Sequence, residues 1–270
     1  MPSPLPLVYR TKLAVRLWHW INAFSIFVML MSGMMIFNAH PHLYWGQYGA
    51  NFDTPWLTIG NRMHEGYLRI GSLEIPTTGF LGYAAETMRA FPPTVTLPGH
   101  YNLSGARQIH FGVAWLLGVS GTAFFLYALI SGHLRRDLLL KREERSFAHL
   151  WHDIKEHARL RFPKGEAARS YNPIQKIAYL GVILILIPVV ILTGLTMSPT
   201  MDAAWPWLTD IFGGRQSARS IHFLCAAGFA GFIVVHLLMV LLAGPFNELR
   251  SMITGWYRLP KENAPKENAK

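Results

Sequence analysis

Four runs without a single Asp, Glu, Lys or Arg set the pattern of the chain: 17–37, 111–132, 177–198 and 221–243. Each has the roughly 20 residues a helix needs to cross about 30 Å of hydrocarbon. Each is apolar nearly all round, as lipid-embedded helices are. Pro188 in the third run is compatible with a membrane helix. The first run is too long for a signal-peptide core and has no small-residue cleavage site, so it reads as a retained span. Between the runs lie an outer connection (38–106), an inner connection (133–176) and a tail (244–270). The outer connection is rich in Gly, Pro and aromatics, which predicts an ordered cap rather than a linker. Within the inner connection, 141–161 predicts an amphipathic helix with Phe147, Leu150, Trp151 and Ile154 on one stripe, suited to a membrane interface. The expected fold is an all-α integral membrane protein: a four-transmembrane-helix bundle with a long extracytoplasmic loop and a cytoplasmic amphipathic helix, with 1–270 forming one membrane domain.

Composition agrees. The chain is 51% hydrophobic and 15% charged, against about 25% charged in soluble proteins, which excludes disorder and a coiled coil. The net charge of +10 raises the question of nucleic acid, and its distribution answers it. Of the 25 Lys and Arg, 19 lie in the N-terminal segment, the inner connection and the tail, against 6 on the opposite side. That asymmetry places both termini and the inner connection in the cytoplasm. The charge is a topology signal, and no nucleic-acid partner is expected. The one cysteine, Cys225, excludes an intrachain disulfide, a CxxCH haem attachment, a Cys-ligated iron–sulfur cluster and a Cys-rich zinc site.

The candidate chemistry lies in the histidines. Of 12 His, four stand in or at the ends of spans, where polar groups are costly and functional by default. His19 is just inside the cytoplasmic end of span one. His110 and His222 open spans two and four at the outer end. His236 lies near the cytoplasmic end of span four. His222 and His236 are 14 residues apart, which is about 40° short of four full turns, so they share one face with a rise of about 21 Å. His110 matches His222 in depth and His19 matches His236. The four therefore pair as two bis-imidazole sites, the donor set of low-spin b-type haem. Zinc is the competitor, but two His alone are a poor zinc site and the two levels are too far apart for one metal.

Arg16, Arg107 and Arg219 each precede a His by three residues, in R-x-x-H. Ala-Arg-Gln-Ile-His-Phe (106–111) is echoed by Ala-Arg-Ser-Ile-His-Phe (218–223). An Arg one turn outside a ligating His stands where haem propionates would emerge; the alternative is that it snorkels to the interface. Ala226, Ala227, Gly228, Ala230 and Gly231 lie between the two His of span four, and Gly33 stands near the level of the outer haem. These small residues suit a porphyrin, or equally helix–helix packing. His133, at the cytoplasmic end of span two, is a candidate for lining a quinone site or touching a propionate, with snorkelling slightly favoured.

With these residues the chain resembles the bacterial di-haem cytochrome b subunits of the cytochrome b561 type, which anchor nickel–iron hydrogenases, formate dehydrogenases and thiosulfate reductases. The carriers are Arg16-Leu17-Trp18-His19-Trp20-Ile21-Asn22-Ala23 with Ser32-Gly33 in span one, His110 in span two, and His222 with His236 in span four. The resemblance implies two b haems, on His19 with His236 and on His110 with His222. It also implies an inner-membrane location and electron exchange between a quinone and a separately encoded extracytoplasmic partner, a molybdopterin enzyme or a hydrogenase. The long outer loop is most similar to thiosulfate-reductase-type members. The competing function is a stand-alone quinone oxidoreductase fed by a small diffusible donor such as superoxide. A transporter is disfavoured by the lack of an inverted repeat and of acidic residues in the spans. No nucleophile or hydrolase motif is present, so bond chemistry by this chain alone is not expected.

Overall fold

The computed structural model describes residues 6–50, 52–159 and 171–259. Its elements are β1 (Leu7–Tyr9), α1 (Leu13–Phe37), β2 (His42–Leu43), β3 (Leu57–Arg62), β4 (Glu65–Ile70), β5 (Leu73–Pro76), α2 (Leu103–Ile130), α3 (Phe147–Ala158), α4 (Pro173–Gly181), α5 (Ile187–Met197), α6 (Pro199–Ala204), α7 (Pro206–Ile211), α8 (Arg215–Ala243), α9 (Pro245–Thr254) and β6 (Trp256–Arg258). The end of the amphipathic helix expected over 141–161, the stretch 160–170 of the inner connection and the tail from 260 lie outside the described residues. The part of that helix that is described, α3, leaves Phe147, Trp151 and Ile154 exposed.

Four helical segments are long and apolar enough to cross a membrane: α1, α2, Pro173–Met197 and α8. Each begins several residues before its uncharged run, so Arg16, Arg107 and Arg219 are already helical. The third segment joins α4 to α5 through a π-helical turn, Val182–Leu186. Pro188, which has no N–H to donate, follows in the first turn of α5. Only 11–28% of each apolar window is buried. Phe27, Trp115 and Val234 are more than 60% exposed, and apolar faces of this extent are stable only in lipid. The chain is a multi-pass membrane protein.

The contacts divide the chain into two compact units. The first contains residues 1–20, 121–184 and 232–270. In it the two ends of the described chain pair as an antiparallel ribbon, with Val8 opposite Tyr257. Arg10 stacks over the Tyr257 ring at 4.4 Å and approaches Glu248 at 3.5 Å. The Thr11 and Ser251 hydroxyls bond at 2.9 Å. Asn172 and Gln175 form a capping box that starts α4, with Pro173 at the first helical position. Lys176, 2% exposed, is neutralised by both carboxylate oxygens of Glu144 at 2.8 and 2.9 Å.

The second unit contains residues 21–120 and 185–231. Here the outer connection folds as a four-stranded antiparallel meander, β2-β3-β4-β5, which adds a sheet that an all-α reading did not anticipate. The β3–β4 turn is Met63-His64, both in the left-handed region at φ 47° and 73°. Such turns normally carry Gly or Asn, so the hairpin had no turn signal. Leu57 and Ile59 of β3 are buried with Leu43 and Ala90 against Phe37 at the end of α1, and Phe223 of α8 packs on the same cluster. The first turn of α8 is laced to the loop: the backbone N–H groups of Gln216 and Ser217 donate to the Gly46 carbonyl, filling helix-terminal donors that would otherwise be orphaned. Ser220, fully buried, donates to the Tyr44 carbonyl at 2.6 Å and accepts from Trp56 Nε1 at 2.9 Å.

Two outcomes follow. Ser220→Ala strands the Tyr44 carbonyl and the Trp56 N–H, a cost of about 1–3 kcal/mol for each such buried group. It should speed proteolytic cleavage within 44–56 while leaving the spans resistant. For Glu144, burial alone would raise the carboxyl, but the hydrogen bonds from Lys176 and the Lys141 N–H outweigh it and hold it below the usual carboxylate value. The stability this contributes is fully present above the ordinary carboxylate range, about 4.3, and is lost as pH falls through the depressed value. Hydrogen exchange at 141–146 should accelerate below about pH 4 in the native chain but show no such step in Glu144→Gln.

Candidate functional site

The spans bring the four sequence-selected histidines together as two pairs. Within the first unit, His19 of α1 and His236 of α8 stand with ring centres 6.3 Å apart and planes at 54°. Within the second, His110 of α2 and His222 of α8 stand 6.2 Å apart at 57°. First-row metals bind imidazole nitrogen at about 2.0–2.1 Å, so two imidazoles on opposite sides of one metal have ring centres about 6.3 Å apart. Both pairs have that spacing. Among the described residues no third His, Cys, Asp or Glu joins either pair to complete a site for a bare ion. Two axial nitrogens with the remaining positions left to a macrocycle is a donor set that fits haem iron. In the second unit, a Cβ placed on Gly231 would meet nothing within 4 Å, whereas one on Gly228 would touch Leu186 at 3.4 Å, so the small residues of α8 divide between open space and helix packing.

The surroundings of the pairs differ. In the second unit the Ser32 hydroxyl of α1 lies 3.0 Å from His110 Nδ1, and the Thr193 hydroxyl of α5 lies 3.1 Å from His222 Nδ1. Each hydroxyl also donates to the carbonyl four residues back, Val28 and Val189, at 2.7 Å. Gly33 and Gly194 follow them, and a Cβ on either would touch the same imidazoles, at 3.4 Å from His110 Cε1 and 3.3 Å from His222 Cε1. Thus Gly33 makes way for the ligand candidate itself. Thr193 and Gly194 were not selected from the sequence. The signal was there: Ser32-Gly33 before Ala-Arg-Gln-Ile-His-Phe recurs as Thr193-Gly194 before Ala-Arg-Ser-Ile-His-Phe. In the first unit, His19 Nδ1 and Trp18 Nε1 are buried without a hydrogen bond. The Trp18 ring stacks on Phe124 at 4.2 Å, and Phe232 stacks on His236 at 5.7 Å.

The three arginines part company. Arg219 donates to the backbone carbonyls of His42 (3.1 Å) and His40 (2.5 Å), so its guanidinium clamps the loop. Arg16 donates to the Ile253 carbonyl at 2.5 Å, at the end of α9, and its Nε is buried without a partner. Arg107 is exposed and stacks over Phe111 at 5.8 Å. His133 does not snorkel. It is 4% exposed, with Nδ1 2.6 Å from Asp137, and Asp137 in turn meets Lys12 at 3.6 Å. Of the aromatics of the outer connection, Tyr44 is buried and Trp56 is tied to Ser220, while Trp45 and Tyr48 are exposed.

Membrane-crossing helices that present paired imidazoles at the spacing of one iron define a membrane b-type cytochrome. The chain belongs to the prokaryotic cytochrome b561 family, whose description matches residues 10–255, and it is a haem b electron-transfer protein. A protein of Azospira oryzae, provisionally named as the protein-methionine-sulfoxide reductase subunit YedZ1, is 30% identical over 74% of this chain and 94% of its own length. An Azotobacter vinelandii protein, named as a probable Ni/Fe-hydrogenase B-type cytochrome subunit, is 21% identical over 96% of this chain and 91% of its own. The Escherichia coli cytochrome provisionally named YdhU is 26% identical over 93% and 75%. No solved structure matches the chain.

His40 and His42 are held below the ordinary histidine value by burial first and by the Arg219 charge second. A depressed value favours the neutral rings in the fold. That contribution is complete above about pH 6.5 and declines as pH falls below it. Protease sensitivity of 38–50 should therefore rise between about pH 6.5 and pH 5. Arg219→Lys should raise it at every pH, because one ammonium does not span two carbonyls as a guanidinium does.

Proposed function

We propose that this chain is the di-haem subunit of a bacterial inner-membrane oxidoreductase, carrying electrons between a quinone pool and an extracytoplasmic molybdopterin enzyme or hydrogenase. The observation that carries this reading is the recurrence, at both pairs, of the ring spacing that one iron requires. His110 and His222 would hold the outer haem and His19 with His236 the inner one. Bound haem supplies reversible one-electron iron chemistry. The protein's part is to fix the axial nitrogens, exclude water and neutralise the propionates, for which Arg107 and Arg16 have donors left over. The names of the relatives, a hydrogenase cytochrome subunit and a reductase subunit, support an oxidoreductase partner.

The positive-inside count supports cytoplasmic termini and inner connection, and pairing of β1 with β6 supports placing both ends on one side. On this reading α3 lies at the cytoplasmic interface with its exposed Phe147 and Trp151. The sheet lies outside and docks the partner through exposed side chains such as Tyr48 and Phe52.

A pyridine haemochrome count of two b haems per chain is expected. His110→Ala and His222→Ala should remove the same haem and spare the other, and His19→Ala and His236→Ala should do the reverse. Loss of different haems by the members of one pair would refute the pairing. Replacing Tyr48 and Phe52 with Ser should weaken co-purification of the partner at least tenfold with both haems retained. Undiminished co-purification would move docking elsewhere.

A further inference from the structure

We infer that Ser32 and Thr193 are positioning residues for the outer pair, each fixing which ring nitrogen of its histidine is free to bind iron and how strongly that nitrogen donates. The inference rests on the ligation reading above and goes beyond it to two residues that play no part in ligation.

Each hydroxyl has one proton, and in each case the carbonyl four residues earlier takes it, at 2.7 Å in both helices. The hydroxyl oxygen can then only accept from the imidazole. Nδ1 of His110, at 3.0 Å, and of His222, at 3.1 Å, must therefore carry the ring proton. A neutral imidazole has one such proton, so Nε2 holds the lone pair. Back-bonding of Ser or Thr to the fourth carbonyl is common in membrane helices and accounts for the hydroxyl direction alone. It does not account for two histidines on two other helices each ending at such an oxygen. Nor does it account for a glycine directly after each hydroxyl whose backbone the same ring approaches so closely that a Cβ would already touch it. Together the hydroxyl and the bare glycine backbone make a seat that recurs on α1 and α5. Both hydroxyl residues are fully buried, so water does not substitute for them; the Met29 and Val190 carbonyls stand beside the same two rings as further acceptors of an Nδ1 proton.

A hydrogen bond accepted from Nδ1–H leaves more electron density on Nε2 and raises ligand basicity. It favours the oxidised iron and lowers the outer haem's potential. The inner pair has no such seat at His19, whose Nδ1 is buried without a partner. The effect therefore belongs to one haem.

The test is a redox titration and low-spin electron paramagnetic resonance of the purified protein carrying Ser32→Ala, Thr193→Val or both, with Thr193→Ser as the hydroxyl-retaining control. With both haems counted by pyridine haemochrome, each removal of a hydroxyl should raise the reduced-to-oxidised ratio of the outer haem threefold to tenfold at fixed ambient potential, about 30–60 mV for a one-electron couple. It should also shift that haem's g values, with the inner haem unmoved and Thr193→Ser close to the native protein. Unchanged potential and g values of the outer haem, with both haems present, would overturn the inference. So would a shift confined to the inner haem. If the hydroxyl-free variants shed the outer haem, Thr193→Ser decides: retention at native potential supports the seat, and loss there too overturns it. Failure of the ligation reading has a different signature, retention of the outer haem's signal in His110→Ala.

Discussion

An imidazole nitrogen left without a partner in hydrocarbon is costly, because no water is there to supply one. That constraint organises the membrane part of this chain. At His110 and His222 one nitrogen is met by a hydroxyl whose own proton is already committed. On the proposed ligation the other is left to a metal, and the opposing ring stands at the distance one metal sets. The seat needs a hydroxyl residue and a glycine side by side on a neighbouring helix, which explains Ser32-Gly33 and Thr193-Gly194 as pairs rather than as scattered small residues. Helix packing alone would ask for small residues without asking for the hydroxyl.

A second consequence falls on the water-facing end of α8. Its first two turns lead directly into His222, so movement of those turns moves the ring. The Gly46 carbonyl fills the helix-terminal donors, Ser220 joins Tyr44 to Trp56, and Arg219 grips two more carbonyls. The loop is thus more than a lid over the site. Any partner that pulls on the loop pulls on the element that carries the ligand candidate. The same linkage explains why Tyr44 and Trp56 face inward and are not free for docking.

Hydropathy and charge made the four spans legible because lipid imposes one strong rule on length and composition. The four histidines were legible because a polar group in a span needs a reason, and the 14-residue spacing on α8 supplied the face. The sheet was not legible. Its β3–β4 turn uses Met63-His64 in a conformation that Gly or Asn normally signals, and its strands are short, with β2 only two residues long. Arg219 could not be told from a propionate partner, since a guanidinium at a span end serves a carboxylate or a carbonyl with the same donors. His133 was read as snorkelling because nothing in the sequence marks Asp137, one turn later, as the partner of a buried ring.

Two sites built from the same pair of side chains would be expected to behave alike, and here they do not have the same backing. Behind the His110–His222 pair stand two hydroxyls. Beside the other pair stand aromatic faces, Phe232 on His236 and the Trp18–Phe124 stack, with a buried Nδ1 at His19 that has no hydrogen-bond partner among the described residues. The axial ligand sets the gross range of a haem's potential, and hydrogen bonding and burial around it set the rest. A chain limited to histidine can therefore separate two haems only through what it places behind them. The repeat of hydroxyl, glycine and Ala-Arg-x-Ile-His-Phe is complete around one pair and absent around the other. That asymmetry distinguishes two otherwise identical pairs of imidazoles; with a haem in each, the two would differ in potential and the carrier would have a built-in preference for where an electron rests.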